Sequence, residues 1–99
     1  MFKLYKIYPS DNPKKRYRIY VEDWKNKRVK KIEFGSSLHE NYNMHGDKER
    51  LRRYIQRHKQ NEDWTDYTTA GFWSRWLLWN ERSRDIDENL EWVMENKMY

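Results

Sequence analysis

The sequence of 99 residues contains no cysteine. This absence excludes disulfide bonds, cysteine-ligated zinc sites and cysteine nucleophiles. Glycine and proline are scarce, at three and two residues, so we expect no glycine-rich loop that cradles a phosphate. No apolar run approaches the roughly 20 residues of a membrane span, and the first residues lack the apolar core of a secretion signal. We therefore expect an intracellular protein that is neither secreted nor membrane-spanning.

Aromatic residues, by contrast, are abundant. Six Trp, eight Tyr and three Phe make up 17% of the chain, and charged residues make up 37%. Low hydrophobicity with high charge is typical of disordered chains, but each aromatic side chain can bury roughly 150–250 Å². We therefore predict one small domain, residues 1–99, with an aromatic core.

The charges are unevenly distributed along the chain. Residues 1–60 contain 17 Lys/Arg and 7 Asp/Glu, whereas residues 61–99 contain 4 and 9. A basic front and an acidic back can attract each other within the fold, attract different partners, or attract other copies head to tail. A solvated surface of mixed charge is the alternative, and the sequence does not decide among these.

Alternating apolar residues predict an antiparallel β meander over residues 2–34. Ile19 and Val21 share one strand face, and Ile32 and Phe34 share a face of the third strand. Stretches rich in Pro, Asp and Asn separate the strands and favour turns. A loop is predicted over residues 36–46.

Three helices are predicted after this loop. The first is a basic helix over residues 47–60, with Asp47 as its N-cap and Leu51 and Tyr54 in its apolar stripe. The second covers residues 69–80 and holds three of the six tryptophans, so we expect it at the centre of the core. The third is an acidic C-terminal helix over residues 85–97. The fold class is therefore α+β, a three-stranded antiparallel meander followed by about three helices.

Catalytic patterns are weak in this sequence. The histidines show neither the HExxH nor the His-x-His spacing of a metal site. His39 and His45 fall in one predicted loop near Asp47, which leaves a loop site conceivable, but a structural role is favoured. Ser74 lacks the glycines of a nucleophile elbow. We expect a non-enzymatic protein without a metal ion or cofactor.

Basic residues favour binding to nucleic-acid phosphates. One set lies on the predicted basic helix: Lys48, Arg50, Arg53, Arg57 and Lys59. A second set lies on the second predicted strand: Lys14, Lys15, Arg16 and Arg18. Arg50, Arg53 and Arg57 recur at i, i+3 and i+7 and share a helix face, where guanidinium groups match phosphate oxygens. Because no sequence-reading motif is present, the expected binding is electrostatic and non-specific.

Protein–protein contact is the rival interpretation. Trp and Arg are enriched in interface hot spots, and a small core cannot hide every aromatic side chain. Trp24, Trp64 and Arg75 are the candidate interface residues. Arg75, a charge among tryptophans, is alternatively paired with an acidic side chain or stacked on a ring.

Several motifs carry a resemblance to a family. They are His45-x-Asp47-Lys48-Glu49-Arg50, Tyr54-x-x-Arg57-His58, Glu62-Asp63-Trp64 and Thr69-Ala70-Gly71-Phe72-x-Ser74-Arg75-Trp76-Leu77-Leu78-Trp79-Asn80. Together with Phe34-Gly35, they resemble an uncharacterised family of small basic proteins of giant viruses, the nucleocytoplasmic large DNA viruses. The similarity covers about residues 29–80, and Ser-Arg-Trp-Leu-Leu-Trp is its most specific motif. Gly46, in place of an expected lysine, and the acidic residues after Arg82 depart from the pattern.

The resemblance implies a viral protein and a place in the virion or in the interior of the host cell. It transfers no catalytic residue. The partners expected on this basis are nucleic acid, with DNA favoured over RNA, or other virion and capsid proteins. A minor capsid protein is therefore the alternative function, an enzyme is the remote one, and the oligomeric state is left open.

Overall fold

Three antiparallel strands form one sheet in the order β1-β2-β3. The computed structural model describes residues 2–98, and the strands are β1 (Ile7–Pro9), β2 (Lys15–Asp23) and β3 (Arg28–Ser36). Ile19 faces Ile32 across β2 and β3. The predicted meander is confirmed, but β1 begins at Ile7 rather than near residue 2, because Tyr5 takes a left-handed conformation with φ 56° that interrupts an extended chain.

The helices follow the sheet in the chain. They are α1 (Tyr42–His45), α2 (Lys48–His58), α3 (Ala70–Trp73) and α4 (Ile86–Asn96), and α3 runs on as a π-helical turn, Ser74–Leu78. The predicted loop over residues 36–46 therefore contains a short helix. Asn41 caps it by accepting a hydrogen bond from the Met44 amide, and Gly46 ends it with φ 64°. In the part of the chain that the structure describes, no helix has the length and apolar composition needed to cross a membrane.

The core lies between one face of the sheet and residues 69–80, the tryptophan-rich segment. Its buried members are Ile19, Val21, Ile32, Phe34, Phe72, Trp73, Leu77, Leu78 and Val93. Trp73 is 0% exposed, which confirms the prediction that this segment is central. Helices on one face of an antiparallel sheet make the α+β class that the sequence predicts.

Buried amides close the C-terminal end of the tryptophan-rich segment. In the π turn the Trp79 amide donates to the carbonyl of Ser74, five residues earlier, at 3.1 Å. This wider turn leaves neighbouring carbonyls without helical partners. The Leu77 carbonyl accepts hydrogen bonds from the side chains of Asn43 at 2.8 Å and Asn89 at 3.1 Å. These bonds tie α1 and α4 to the same turn.

The end of β3 packs closely against this turn at a glycine. Gly35 has φ 82°, and a Cβ placed on it would lie 2.8 Å from Leu78 Cδ1. A side chain there would be strained and would push the π turn away from the sheet. The glycine thus sets the spacing between the sheet and the helical layer where a surface cleft opens.

Candidate functional site

A cleft of about 590 Å³ opens between α2, the start of α3 and the end of β3. Four of its lining side chains are cationic: Lys15, Arg50, Arg53 and Arg57. Two carboxylates, Glu40 and Glu62, also line it. Cationic side chains outnumber carboxylates in the cleft, so it favours an anionic ligand.

Helix α2 supplies most of the cationic wall. Leu51 and Tyr54, on its apolar face, are about 95% buried, and this anchoring leaves the arginine face exposed. Asp47 caps the helix by accepting hydrogen bonds from the amides of Glu49 at 2.9 Å and Arg50 at 3.2 Å. The predicted N-cap and the apolar stripe are confirmed, and the helix spans Lys48–His58.

The three cleft arginines differ in how far neighbouring acids neutralise them. Arg50 lies 3.5 Å from the Glu40 carboxylate, and Arg53 Nε lies 3.7 Å from Glu49. Glu49 is held more tightly by Arg52, at 2.6 and 2.7 Å, and this hydrogen bonding lowers the pKa of Glu49. Among residues 2–98, no carboxylate pairs with Arg57, so its guanidinium is the most available to a ligand.

An aromatic stack forms part of the same wall. The His58 ring lies on Tyr54, with centroids 4.1 Å apart and planes at 22°, and Tyr54 lies on Trp79 at 4.3 Å and 2°. Burial raises the pKa of Tyr54, so its ring stays neutral. The sequence places His58 and Tyr54 four residues apart on one helix stripe, but the third ring is Trp79, which follows the π turn, and was not predictable from spacing.

Glu62 is a cleft residue that the sequence marks only as part of the Glu62-Asp63-Trp64 motif and not as a candidate binding residue. Its carboxylate accepts a hydrogen bond from Trp64 Nε1 at 2.9 Å and lies 3.2 Å from His58 Nδ1. A Cβ on Gly71 would lie 2.8 Å from the carboxyl carbon of Glu62. The glycine therefore lets the acid lie against α3, where it is a hydrogen-bond acceptor among donors.

The histidines of the loop before α2 do not converge on a metal site. His39 Nδ1 lies 3.0 Å from Ser36 Oγ, which also accepts the Leu38 amide, so this contact belongs to a local turn. His45 Nδ1 instead accepts the amide of Asp47 at 2.9 Å. Across residues 2–98, no group of three or more His, Asp or Glu side chains is placed to hold a metal ion.

The side chains of the second predicted basic set do not lie together, because those on β2 leave the strand on different faces. Lys15 lines the cleft, whereas Arg16 donates to the carbonyls of Ser36 and His39 and secures the loop after β3. Arg18 points to the other face, where it pairs with Asp11 at 3.0 Å. Lys14 precedes β2 and is exposed. Only Lys15 of this set therefore joins the arginines of α2.

The remaining cationic residues of α2 lie outside the cleft. Lys48 is the first residue of the helix and Lys59 its C-terminal cap. Both are exposed, and neither lines the cleft. They contribute to the positive potential of the helix without facing the same volume as the arginines.

The three predicted interface residues have different environments. Trp24 is 60% exposed in the hairpin between β2 and β3. Trp64 is half-buried, and its ring lies 5.2 Å from the guanidinium carbon of Arg75. Arg75 itself is only 6% exposed, so direct contact with a partner does not fit its position.

Arg75 has an interior role instead. It donates to the Trp79 carbonyl at 2.6 Å, pairs with Glu81 at 3.0 Å and lies 4.4 Å from the Trp76 ring. Burial alone would raise the pKa of Glu81, but the hydrogen bond and attraction from Arg75 outweigh it and lower the pKa. Both alternatives that the sequence left open, pairing with an acid and stacking on a ring, therefore occur together.

Residues 5–58 match the model of a family of unknown function, DUF5754. The chain belongs to this family. The matched segment contains the whole sheet, α1 and α2, and with them all four cationic residues of the cleft. It ends before the tryptophan-rich segment. No curated protein and no solved structure matches the chain.

Proposed function

We propose that this protein binds nucleic-acid phosphates non-specifically through the cationic wall of the cleft. The observation that carries the proposal is the convergence of Lys15, from the sheet, with Arg50, Arg53 and Arg57, from α2, on one concave surface. The guanidinium forks of the three arginines suit phosphate oxygens, and the lysine adds a point charge. No group in the cleft is given a catalytic role, and we propose a non-enzymatic binding protein.

We further propose that it is a virion-associated protein of a giant virus, active in the particle or in the host-cell interior. The support is the resemblance over residues 29–80, whose C-terminal motif contributes Phe72, Trp73, Leu77 and Leu78 to the core. DNA is then the favoured ligand. Binding that ignores sequence suits a protein that packages or coats a genome, because phosphate contacts carry no base information.

The test is a titration of labelled random-sequence duplex DNA at several salt concentrations, read by fluorescence anisotropy. Three phosphate contacts predict a slope of log K against log salt of about −2.7, at roughly 0.9 per phosphate. Arg50→Ala/Arg53→Ala/Arg57→Ala is expected to flatten the slope and remove most of the affinity.

A charge-matched control distinguishes binding in the cleft from attraction by the overall net charge. Lys14→Ala/Lys48→Ala/Lys59→Ala removes three positive charges from exposed positions but none from the cleft. It is expected to weaken binding much less than the cleft variant. Equal losses from the two variants, or no binding of the unmodified protein at low salt, would overturn the cleft as the binding site.

A minor capsid protein is the second candidate function. It is favoured by the exposed apolar surface at one end of the sheet, where Trp24 and Val29 are each 60% exposed. Such surface suits contact with another coat subunit. Fractionation of disrupted particles separates the two functions, since a coat protein stays with shells stripped of genome whereas a genome-binding protein leaves with the DNA.

A further inference from the structure

We infer that the cleft holds one nucleotide unit, a phosphate together with its attached base, rather than the backbone of a duplex. This inference rests on the proposed function and narrows its ligand. The unit can come from two sources, a residue of a single strand or a free nucleotide. Both sources share the chemistry that the cleft would recognise, a phosphate beside an aromatic base.

The shape of the site favours a single unit. A volume of about 590 Å³ lies within the range of roughly 300–1,000 Å³ that is typical of pockets for small molecules. In a duplex the bases are stacked and paired inside, whereas unpaired bases are free to enter a cleft. A concave site of this size therefore fits a splayed nucleotide better than a double helix.

The phosphate would lie at the arginine wall. Arg57 has no paired carboxylate within residues 2–98, and Arg50 makes only a long contact, 3.5 Å, with an exposed Glu40. Lys15 approaches from the sheet side of the cleft. A phosphate can displace the weak Arg50–Glu40 contact, because exposed ion pairs contribute at most about 1 kcal/mol.

The base would lie on His58. One side of its ring is supported by Tyr54, which is 94% buried and is itself stacked on Trp79, so the platform is rigid. The His58 side chain lines the cleft and remains 39% exposed. Stacking on a ring is available to every base, which agrees with binding that ignores sequence.

Glu62 adds an acceptor beside this platform. Its carboxylate lies 3.2 Å from His58 Nδ1, and its side chain is 26% exposed in the cleft. A phosphate would be repelled there, whereas the amino group of a base would be accepted. The arginines at one wall and the acid beside the ring thus give the cleft a polarity that matches a nucleotide and not a bare phosphate.

The inference is tested by comparing ligands of one sequence at one salt concentration. A single-stranded 12-mer is expected to bind at least tenfold more tightly than the matching duplex. An abasic 12-mer should bind about 5- to 150-fold more weakly, the range expected for one base stacked on an aromatic side chain. Inorganic phosphate should compete poorly at concentrations where deoxyadenosine monophosphate competes.

Two variants test whether the gain in affinity from the base depends on His58. His58→Ala is expected to weaken binding of the normal strand by most of the factor lost on base removal, since only the Glu62 contact is kept, and to leave binding of the abasic strand unchanged. Gln56→Ala, an exposed neighbour on α2 outside the cleft, should change neither. Circular dichroism checks that the variants fold, and the abasic comparison on the unmodified protein does not depend on them.

The outcomes distinguish this inference from the proposed function. Equal affinity for duplex, single strand and abasic strand, with dependence on the cleft arginines retained, overturns the inference alone. No binding to any nucleic acid at low salt overturns both. If deoxyadenosine monophosphate competes as well as the same concentration of nucleotides in a strand, the bound unit is a free nucleotide. If it competes much more weakly, the bound unit belongs to a strand.

Discussion

Helices α2 and α4 have the same length and the same kind of start, yet they present opposite charges. Each spans 11 residues, and each follows an aspartate, Asp47 or Asp85, whose carboxylate accepts two amides of the first turn. The exposed residues of α2 are mostly basic. Those of α4 include the acids Glu88, Glu91 and Glu95.

The two helices also differ in what holds them to the core. Helix α2 is attached through rings, with Tyr54 stacked on Trp79. Helix α4 also has a ring contact, Trp92 with Trp76 at 5.5 Å, but it is further attached through Val93 and through the buried amide of Asn89, which donates to the Leu77 and Ser83 carbonyls. The ring stack of α2 supports a wall of the cleft. The hydrogen bonds of α4 give that helix a structural role. The following predictions test this division of roles.

The largest stability effect is expected in α4. Asn89→Ala should lower the free energy of unfolding by about 2 kcal/mol, because the Ser83 carbonyl loses its side-chain donor and the Leu77 carbonyl keeps only Asn43. Urea denaturation measures this change. Asn96→Ala, an exposed asparagine of the same helix, is the control, and an equal loss from it would contradict a special role for Asn89.

Removal of either helix cap should reduce the stability of the protein by a similar amount, but only one removal should affect DNA binding. Asp47→Ala and Asp85→Ala should each reduce stability by about 1 kcal/mol. Only Asp47→Ala should also weaken DNA binding, because it frays the turn that carries Arg50. The same denaturation and anisotropy measurements decide this, and a matching loss of binding from Asp85→Ala would show that the helices are not functionally separate.

A smaller effect is expected from pH at the start of α2. Burial, and then repulsion from Arg50, lowers the pKa of His45. Attraction from Asp47 and Glu40 opposes this lowering, and repulsion from Arg84 adds to it. The folded state thus favours neutral histidine, whose Nδ1 accepts the Asp47 amide. This stability is present above the unfolded pKa of about 6.5 and is lost as pH falls below it. His45→Asn should flatten the difference between pH 7.5 and pH 5 in urea denaturation, and an unchanged difference would exclude His45 as the cause.

The smallest effect is expected at the C-terminal end of α4. Glu95 lies in the last turn, where the helix dipole disfavours a negative charge, and it follows Glu91 by four residues. Glu95→Gln should therefore stabilise the protein by about 0.3 kcal/mol, visible as a small rise in Tm. The matched change in α2, Arg57→Gln, removes a charge that the dipole favours and should lower Tm slightly. Shifts of the same sign would contradict the contrast.

Local patterns predicted the elements but not the way they meet. The cap at Asp47 and the strand faces with Ile19 and Phe34 follow from short-range hydrogen bonding and periodicity. The π turn does not, because it depends on amides from distant segments. The separation of Lys15 from Arg18 depends on which face of β2 meets the helices, although the alternation itself was visible.

The sequence alone determined the α+β class, the central place of the tryptophan-rich segment and the arginine face of α2, because each follows from the composition or spacing of neighbouring residues. Only the tertiary structure decided that Lys15 joins the arginines, that Arg75 is interior and that His58, Tyr54 and Trp79 form one stack. These arrangements join residues far apart in the chain. Packing at Gly35 and the side-chain amides of Asn43 and Asn89 hold the π turn in place, and no local pattern records that geometry.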